Sequence, residues 1–423
     1  MKTRGARQHP SSTSKLHRRA AMTALALALV LVPAVVVTGS AQAQTFKVHS
    51  FTGGADGGDP IAALIMDAEG NLYGPSFFGG DLTYCNGYGC GTIFKVDTTG
   101  KETVLYSFTG PPGDGALPGA VVLRDAKGNF YGTTYVGGSG GCNIGMTGGC
   151  GTVFKLDTTG NETVLYNFAG GSDGANPTSS LIMDAQGNLY GTTSLGGTSG
   201  FGTVFKLDST GKETVLHTFT GYPEDGAEPL AGLVPDAKGN LYGTTVYGGN
   251  SGRCNNGGIF GCGTVFKVDE NGNETVLYSF TEGTLDGNYP EASLIWEATG
   301  NLYGTTEAGG ESSYGTVFKV DEKGNETKLF SFDIVDGAFP AGTLVSDAKG
   351  NLYGTTAGGG ASDTYGVVFK LDKNGEETVL HNFELTYGAY PNAGLVRDAK
   401  GKLFGTTYLG GSSDHGTVFE LTP

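Results

Sequence analysis

The chain has 423 residues, 76 of them glycine, with 26 Lys or Arg against 42 Asp or Glu and a formal net charge of −16. The acidic balance argues against nucleic acid and anionic membrane surfaces as partners, because both are recognised through a basic face. A chain this long can bury a large core, but no extended apolar pattern of helical period runs through it, which argues against an α-helical fold.

The first 43 residues differ from the rest. Six basic side chains (Lys2, Arg4, Arg7, Lys15, Arg18 and Arg19) precede an apolar run from Ala20 to Val37 and then Ala41-Gln42-Ala43. This is the pattern of a secretory signal peptide, with cleavage expected after Ala43. A retained anchor is the competing reading, but Pro33 interrupts a run of barely sufficient length. The expected mature chain is a single domain over 44–423, exported and not inserted in a membrane.

The next segment, Thr45-Phe46-Lys47-Val48-His49-Ser50-Phe51, alternates like a strand. Beyond it the phrase Gly-Asn-Leu-Tyr-Gly begins at Gly70, Gly128 (with Phe130), Gly187, Gly239, Gly300, Gly350 and Gly401 (as Gly-Lys-Leu-Phe-Gly). The copies are spaced by roughly 50 to 60 residues, the length of a four-stranded sheet with its turns. In the third copy Ser179–Met183 is a short apolar run, Asp184–Asn188 is turn chemistry, and Leu189–Thr193 is a second strand. A Gly-rich loop leads to Thr203–Asp208, a second Asp…Gly turn, and Glu213–Phe219. The link to the next copy carries Asp-Gly-x-x-Pro, beginning at Asp56, Asp114, Asp173, Asp225, Asp286 and Asp336, with Tyr387 in the last place.

The last copy stops after its third strand, Gly416–Leu421, while Thr45–Phe51 resembles a fourth strand such as Thr103–Phe108. An open array would expose both terminal sheets, whereas a ring exposes neither. The expected fold is therefore an all-β, seven-bladed β-propeller with four antiparallel strands per blade, closed by the N-terminal strand joining the last blade.

Six cysteines form three close pairs, Cys85/Cys90, Cys142/Cys150 and Cys254/Cys262, in corresponding loops. In an exported chain these read as disulfides stapling the longer loops. Zinc is the rival reading, but no histidine or second cysteine pair accompanies them in sequence.

The run Asp-Ala-x-Gly-Asn-Leu-Tyr-Gly-Thr-Thr-x-x-Gly-Gly…Gly-Thr-Val-Phe-Lys-Leu-Asp, clearest at Asp184 to Asp208, resembles the GloVer tandem repeat of secreted bacterial proteins. The resemblance covers essentially all of the expected mature chain. It implies an exported β-propeller-like repeat array, carries no established activity, and usually comes with a C-terminal anchor. No such anchor is recognisable after Leu421, so a secreted or periplasmic protein is expected.

Tight Asp…Gly turns should occupy one face of the ring, and the stapled loops and links the other. That loop face is the expected binding surface. Tyr84, Tyr88, Tyr135, Tyr247, Tyr314, Tyr365 and Tyr408, with His415, are its expected ligand contacts, for sugar stacking or a protein interface. The opposing reading has these rings packed between blades. The link residues Asp56, Asp114, Asp173, Asp225, Asp286 and Asp336 either order their turns or ring the channel mouth around a cation such as calcium.

No catalytic residue emerges. His49, His217 and His381 share an outer-strand slot with Tyr106, Tyr166, Tyr278 and Phe330, which is the behaviour of a packing position, and His415 has no identifiable nucleophile beside it. The expected function is that of a monomeric, cofactor-free binding or scaffold module for a glycan or an extracellular protein. The alternative is a metal-assisted lyase or hydrolase acting on a polysaccharide or lactone at the channel.

Overall fold

A computed structural model describes residues 45–142, 148–281, 283–297, 299–361 and 365–423; the expected signal peptide lies outside them. Seven four-stranded antiparallel sheets follow one another, each running from a two-residue inner strand to a six-residue outer one, with the strands of the first six in sequence order. In the first blade these are Ile65–Met66, Leu72–Ser76, Thr92–Val96 and Glu102–Ser107. The seventh blade takes Val396–Arg397, Leu403–Thr407 and Thr417–Thr422 from the end of the chain and Thr45–Ser50 from its beginning. Pairing runs from Thr45 opposite Thr422 to Ser50 opposite Thr417, so the ring closes as the sequence suggests. The other six outer strands each carry a bulge, as at Leu216 opposite Val204 and Phe205, and the closing pair does not.

The repeated phrase builds the first hairpin of each blade. Asp184 accepts the backbone N–H groups of Gln186 and Asn188, the side-chain amide of Asn188 at 2.7 Å and the hydroxyl of Tyr190 at 3.0 Å. The same hydroxyl bond recurs from Tyr73 to Asp67, Tyr131 to Asp125, Tyr242 to Asp236, Tyr303 to Glu297 and Tyr353 to Asp347. The final glycine of the phrase is explained by space: a Cβ at Gly191 would lie 2.9 Å from both Leu181 Cδ2 and Phe205 Cζ. The motif is thus a device for building the blade.

Blades are joined by paired rings. The phenylalanine that follows each outer strand sets its edge against the phenylalanine of the next blade's third strand. Phe51–Phe94, Phe108–Phe154, Phe168–Phe205, Phe219–Phe266, Phe280–Phe318, Phe332–Phe369 and Phe383–Phe419 all have centroids 4.9 to 5.2 Å apart. All are buried. At each interface the link proline also covers a loop glycine; a Cβ at Gly416 would stand 2.7 Å from Pro60 Cδ, as one at Gly202 would from Pro229 Cδ.

The closing interface therefore makes the same contacts as the six internal ones. Phe51→Ala and Phe219→Ala are each expected to cost about 3–5 kcal/mol. Urea unfolding checks this; a Phe51→Ala loss well below that of Phe219→Ala would mean that the seam is not a full interface.

Candidate functional site at the loop-side mouth of the channel

The link into each blade and the loop after its second strand lie together at one end of the ring. Gly115–Ala116 pairs with Val136–Gly137, Gly226–Ala227 with Tyr247–Gly248, and Gly287–Asn288 with Ala308–Gly309, and single bridges such as Gly58 to Phe78 do the same elsewhere. Just after each link proline, a short segment from every blade turns toward the axis, and together these segments line a central cavity of about 120 Å³. Its walls touch: the Gly232 N–H donates to Ser293 Oγ at 2.8 Å. Such a space holds a few waters, whereas small-molecule sites occupy roughly 300–1,000 Å³.

Above it the mouth widens to about 460 Å³, lined by Glu291, Glu307, Phe339, Asn392 and neighbouring aliphatic residues. Here the repeat stops repeating. The position after the link proline is Ile61, Gly119, Thr178, Leu230, Glu291, Ala341 and Asn392 in successive blades, and the position that Glu307 fills is Phe77, Tyr135, Ser194, Val246, Ala357 and Tyr408 elsewhere. Only the fifth blade places a carboxyl at both. Burial pushes the pKa of Glu291 up, and the hydrogen-bonded carboxyl of Glu307 adds to the shift; burial also raises Glu307. Two like charges in one pocket are relieved when one carboxyl keeps its proton, and the stronger upward push is on Glu291. Asn392 Oδ1, at the same mouth, is buried without a hydrogen-bond partner.

The backbone around this mouth is held in an unusual way. The residue before each link proline (Asp59, Leu117, Asn176, Glu228, Tyr289, Phe339, Tyr390) has φ between 54° and 60°. That left-handed region is unfavourable for large side chains, so seven copies need a compensating anchor. Backbone bonds supply it: the N–H of Tyr289 donates to the Cys262 carbonyl at 3.0 Å, and its own carbonyl accepts the Glu307 N–H at 2.9 Å. The side chains at these positions differ from copy to copy, while the Asp-Gly and Pro around them scarcely do.

The expected ligand contacts fall into two groups. Tyr84 and Tyr88 stand exposed (42% and 59%) in the first stapled loop. The others are half-buried. Tyr135 packs into the core between the first and second blades. Tyr247 lies against Tyr289 with centroids 5.5 Å apart, Tyr314 against Phe339 at 5.8 Å and Tyr365 against Tyr390 at 6.0 Å. His415 Nδ1 is 3.3 Å from Asp59 Oδ1, and the charge of Asp59 raises the pKa of Tyr408 after burial has done so. Tyr314, Tyr365, His415 and Phe201 occupy the position that Cys90, Cys150 and Cys262 hold in the stapled loops. Three disulfides, Cys85–Cys90, Cys142–Cys150 and Cys254–Cys262, are formed.

Each link aspartate bonds within or beside its own link. Asp114 Oδ2 accepts the Tyr106 hydroxyl at 2.9 Å and the Thr109 N–H at 2.8 Å, while Oδ1 accepts the Gly115 N–H at 2.6 Å. Asp286 does the same with Tyr278, Thr281 and Gly287, and Asp225 with His217, Thr220 and Gly226. Asp173 holds Tyr166 and Ala169, Asp56 holds Thr52, and Asp336 accepts from Asp333 N–H. The carboxyl pair at the mouth was not among the expected residues; the signal available for it was the pair of positions at which the fifth repeat alone carries glutamate.

Residues 34–260 and 252–419 match the Gloeobacter/Verrucomicrobia repeat. The chain belongs to that repeat family. No curated protein sequence matches it. Among solved structures, the chain is similar to the extracellular domain of a putative hybrid two-component system from B. thetaiotaomicron, with TM-score 0.52 and 12% identity over 88% of this chain and 41% of that one. It is also similar to a fungal alcohol oxidase of the AA5 family in complex with copper, with TM-score 0.52 and 15% identity over 89% of this chain and 76% of that one. At these identities the likeness is one of fold. Among the described residues, no helix is long and apolar enough to cross a membrane.

The family's repeat also sets a pH dependence. Glu102, Glu162, Glu213, Glu274, Glu326 and Glu377 begin six outer strands and lean into the grooves between blades. Burial, and then the charge of the link aspartate, raises each to about 7. Such groups stabilise the fold fully below their unfolded pKa and lose that contribution as pH rises through 7. The hairpin aspartates behave oppositely: burial alone would raise Asp184 and Asp347, but the bonds from Asn188 and Tyr190, or Asn351 and Tyr353, outweigh it and hold both low, Asp347 at about 2. Their contribution is lost as pH falls through that range. Thermal melts should therefore give a maximum near about pH 5, with Tm falling toward pH 8. Replacing the six glutamates by glutamine should flatten the alkaline limb, and a Tm that rises from pH 5 to pH 8 would refute the assignment.

Proposed function

We propose that the protein is an extracytoplasmic binding module that holds a neutral glycan at the loop-side mouth of its channel. The observation that carries this reading is the Glu291–Glu307 pair, set with Phe339 and Asn392 at the rim of a cavity too narrow to let a sugar pass. A protonated carboxyl, a carboxylate and an amide offer donors and acceptors to neighbouring hydroxyls, and Phe339, 38% exposed, offers a ring to the C–H face of a pyranose. The acidic surface disfavours anionic ligands. Three disulfides suit an oxidising compartment, in keeping with the export signal read from the sequence.

The retained proton favours one further reading, hydrolysis of the bound glycan, since Glu291 is poised to give a proton near neutrality. Glycan arrays followed by calorimetry on residues 44–423 test the binding reading, and chromatography of the incubated ligand tests turnover. Glu307→Ala should weaken binding roughly 10- to 100-fold, the loss of a hydrogen bond to a charged group. Glu291→Gln, which keeps a donor, should bind nearly as wild type and abolish any cleavage. Arrays blank at high protein concentration, or affinity indifferent to Glu307→Ala and Phe339→Ala, would remove the proposal.

A further inference from the structure

We propose that the groove between the third and fourth blades is a binding site for a divalent first-row transition-metal ion, with His217, Asp225 and Glu274 as its ligands. His217 stands on the third blade's outer strand, Glu213–Thr218, Asp225 on the link, and Glu274 at the start of the fourth blade's outer strand, Glu274–Ser279. The twist of the blades brings the three together. His217 Nε2 lies 3.2 Å from Asp225 Oδ2, and with one oxygen of Glu274 the three ligand atoms all fall within 4.8 Å of one another. A tetrahedral ion with bonds of about 2.0–2.1 Å has ligand edges of about 3.3 Å, so the His–Asp edge is already set and Glu274 has at most about 1.5 Å to travel.

The surroundings hold the first two ligands in place. Asp225 Oδ2 accepts the Thr220 N–H at 2.8 Å, Oδ1 accepts the Gly226 N–H at 2.6 Å, and the His217 ring packs edge-on against Phe219 at 4.8 Å. Such outer contacts orient metal ligands. Glu274 Oε1 is buried and has no hydrogen-bond partner. One imidazole and two carboxylates match the charge of a divalent ion and leave a fourth position open. That set suits zinc and its neighbours; calcium requires six or more oxygens.

The ring contains its own controls. The equivalent grooves hold Tyr106 with Asp114 and Glu162, Tyr166 with Asp173 and Glu213, and Tyr278 with Asp286 and Glu326. In each the phenol donates to the aspartate, at 2.9, 3.1 and 3.0 Å. The orphan oxygen recurs at Glu102, Glu162, Glu213 and Glu377. The groove is therefore a packing feature of the repeat, as the shared slot suggests, and histidine is what converts it into a ligand set. His49, Asp56 and Glu102 repeat the same residue types across the ring seam, but there His49 Nε2 is buried without a hydrogen-bond partner, whereas His217 Nε2 meets Asp225. His381 has Tyr387 where an aspartate would stand.

The test uses untagged residues 44–423 dialysed against zinc chloride, with bound zinc counted by elemental analysis and cobalt substitution read by visible absorption. Wild type should retain one equivalent and show the intense bands of tetrahedral cobalt. His217→Tyr, which three other grooves indicate will fold, and Glu274→Gln should each weaken zinc binding at least roughly tenfold and remove the bands. His381→Tyr should leave both unchanged. Zinc should raise the Tm of wild type and not that of His217→Tyr. Absence of retained zinc in wild type, or a full equivalent in either groove variant with a native melting transition, would overturn the proposal; if His217→Tyr fails to fold, Glu274→Gln decides alone.

Discussion

The ring stands on one contact made seven times, the edge of a phenylalanine from one blade against the face of a phenylalanine in the next. Each pair adds about 0.5–1.5 kcal/mol to what burial of the rings already contributes. The contact explains features of the sequence that would otherwise look arbitrary. The third-strand phenylalanine crosses the second strand of its own blade, so that strand has glycine there, as at Gly191 under Phe205. The following blade must approach closely, so a glycine such as Gly202 meets the proline of the next link. Because Phe51 reaches Phe94 as Phe219 reaches Phe266, the N-terminal strand is an obligatory part of the seventh blade, and the third strand of that blade is not left as an unpaired edge.

A scaffold this regular separates positions that build from positions free to differ. The pre-proline residue is the clearest instance. Its backbone is held in a left-handed conformation by main-chain hydrogen bonds, so the conformation does not depend on the side chain, which is Asp, Leu, Asn, Glu, Tyr or Phe in different copies. In the sixth blade that residue, Phe339, lines the mouth of the channel. The residue after the proline and the first residue of the loop differ in the same way, and in the fifth blade these two are a pair of carboxyls, Glu291 and Glu307.

The fold was legible because seven copies of one phrase disclose their period, and because the surplus strand at the start matches the vacancy at the end. The site was less so. Aromatic content drew attention to Tyr314, Tyr365 and His415, yet these rings stand where Cys90, Cys150 and Cys262 stand in other loops and pack against the neighbouring link; spacing in the sequence does not reveal that substitution of a ring for a disulfide. Glu291 and Glu307 differ visibly from their counterparts in the other repeats, but their meeting at the mouth depends on the pairing of link with loop, which the sequence does not show. The same holds for His217, which in sequence is one more occupant of a tyrosine slot and in space faces a carboxyl from the next blade.

Carboxyls do two opposite jobs here, and the difference comes from what surrounds them. In the hairpin turns an aspartate gathers N–H, amide and hydroxyl donors, so its charge is solvated by the protein and its pKa falls even where burial opposes it. In the grooves a glutamate meets another carboxylate and few donors, so its charge is unwelcome and its pKa rises to about 7. A group of the second kind is satisfied by a proton, by a cation, or by a ligand that brings donors of its own. The repeat supplies protons as the default answer in its grooves; the groove of His217 and the paired glutamates at the mouth are the two places where the same electrostatic demand is met by residues able to hold something else.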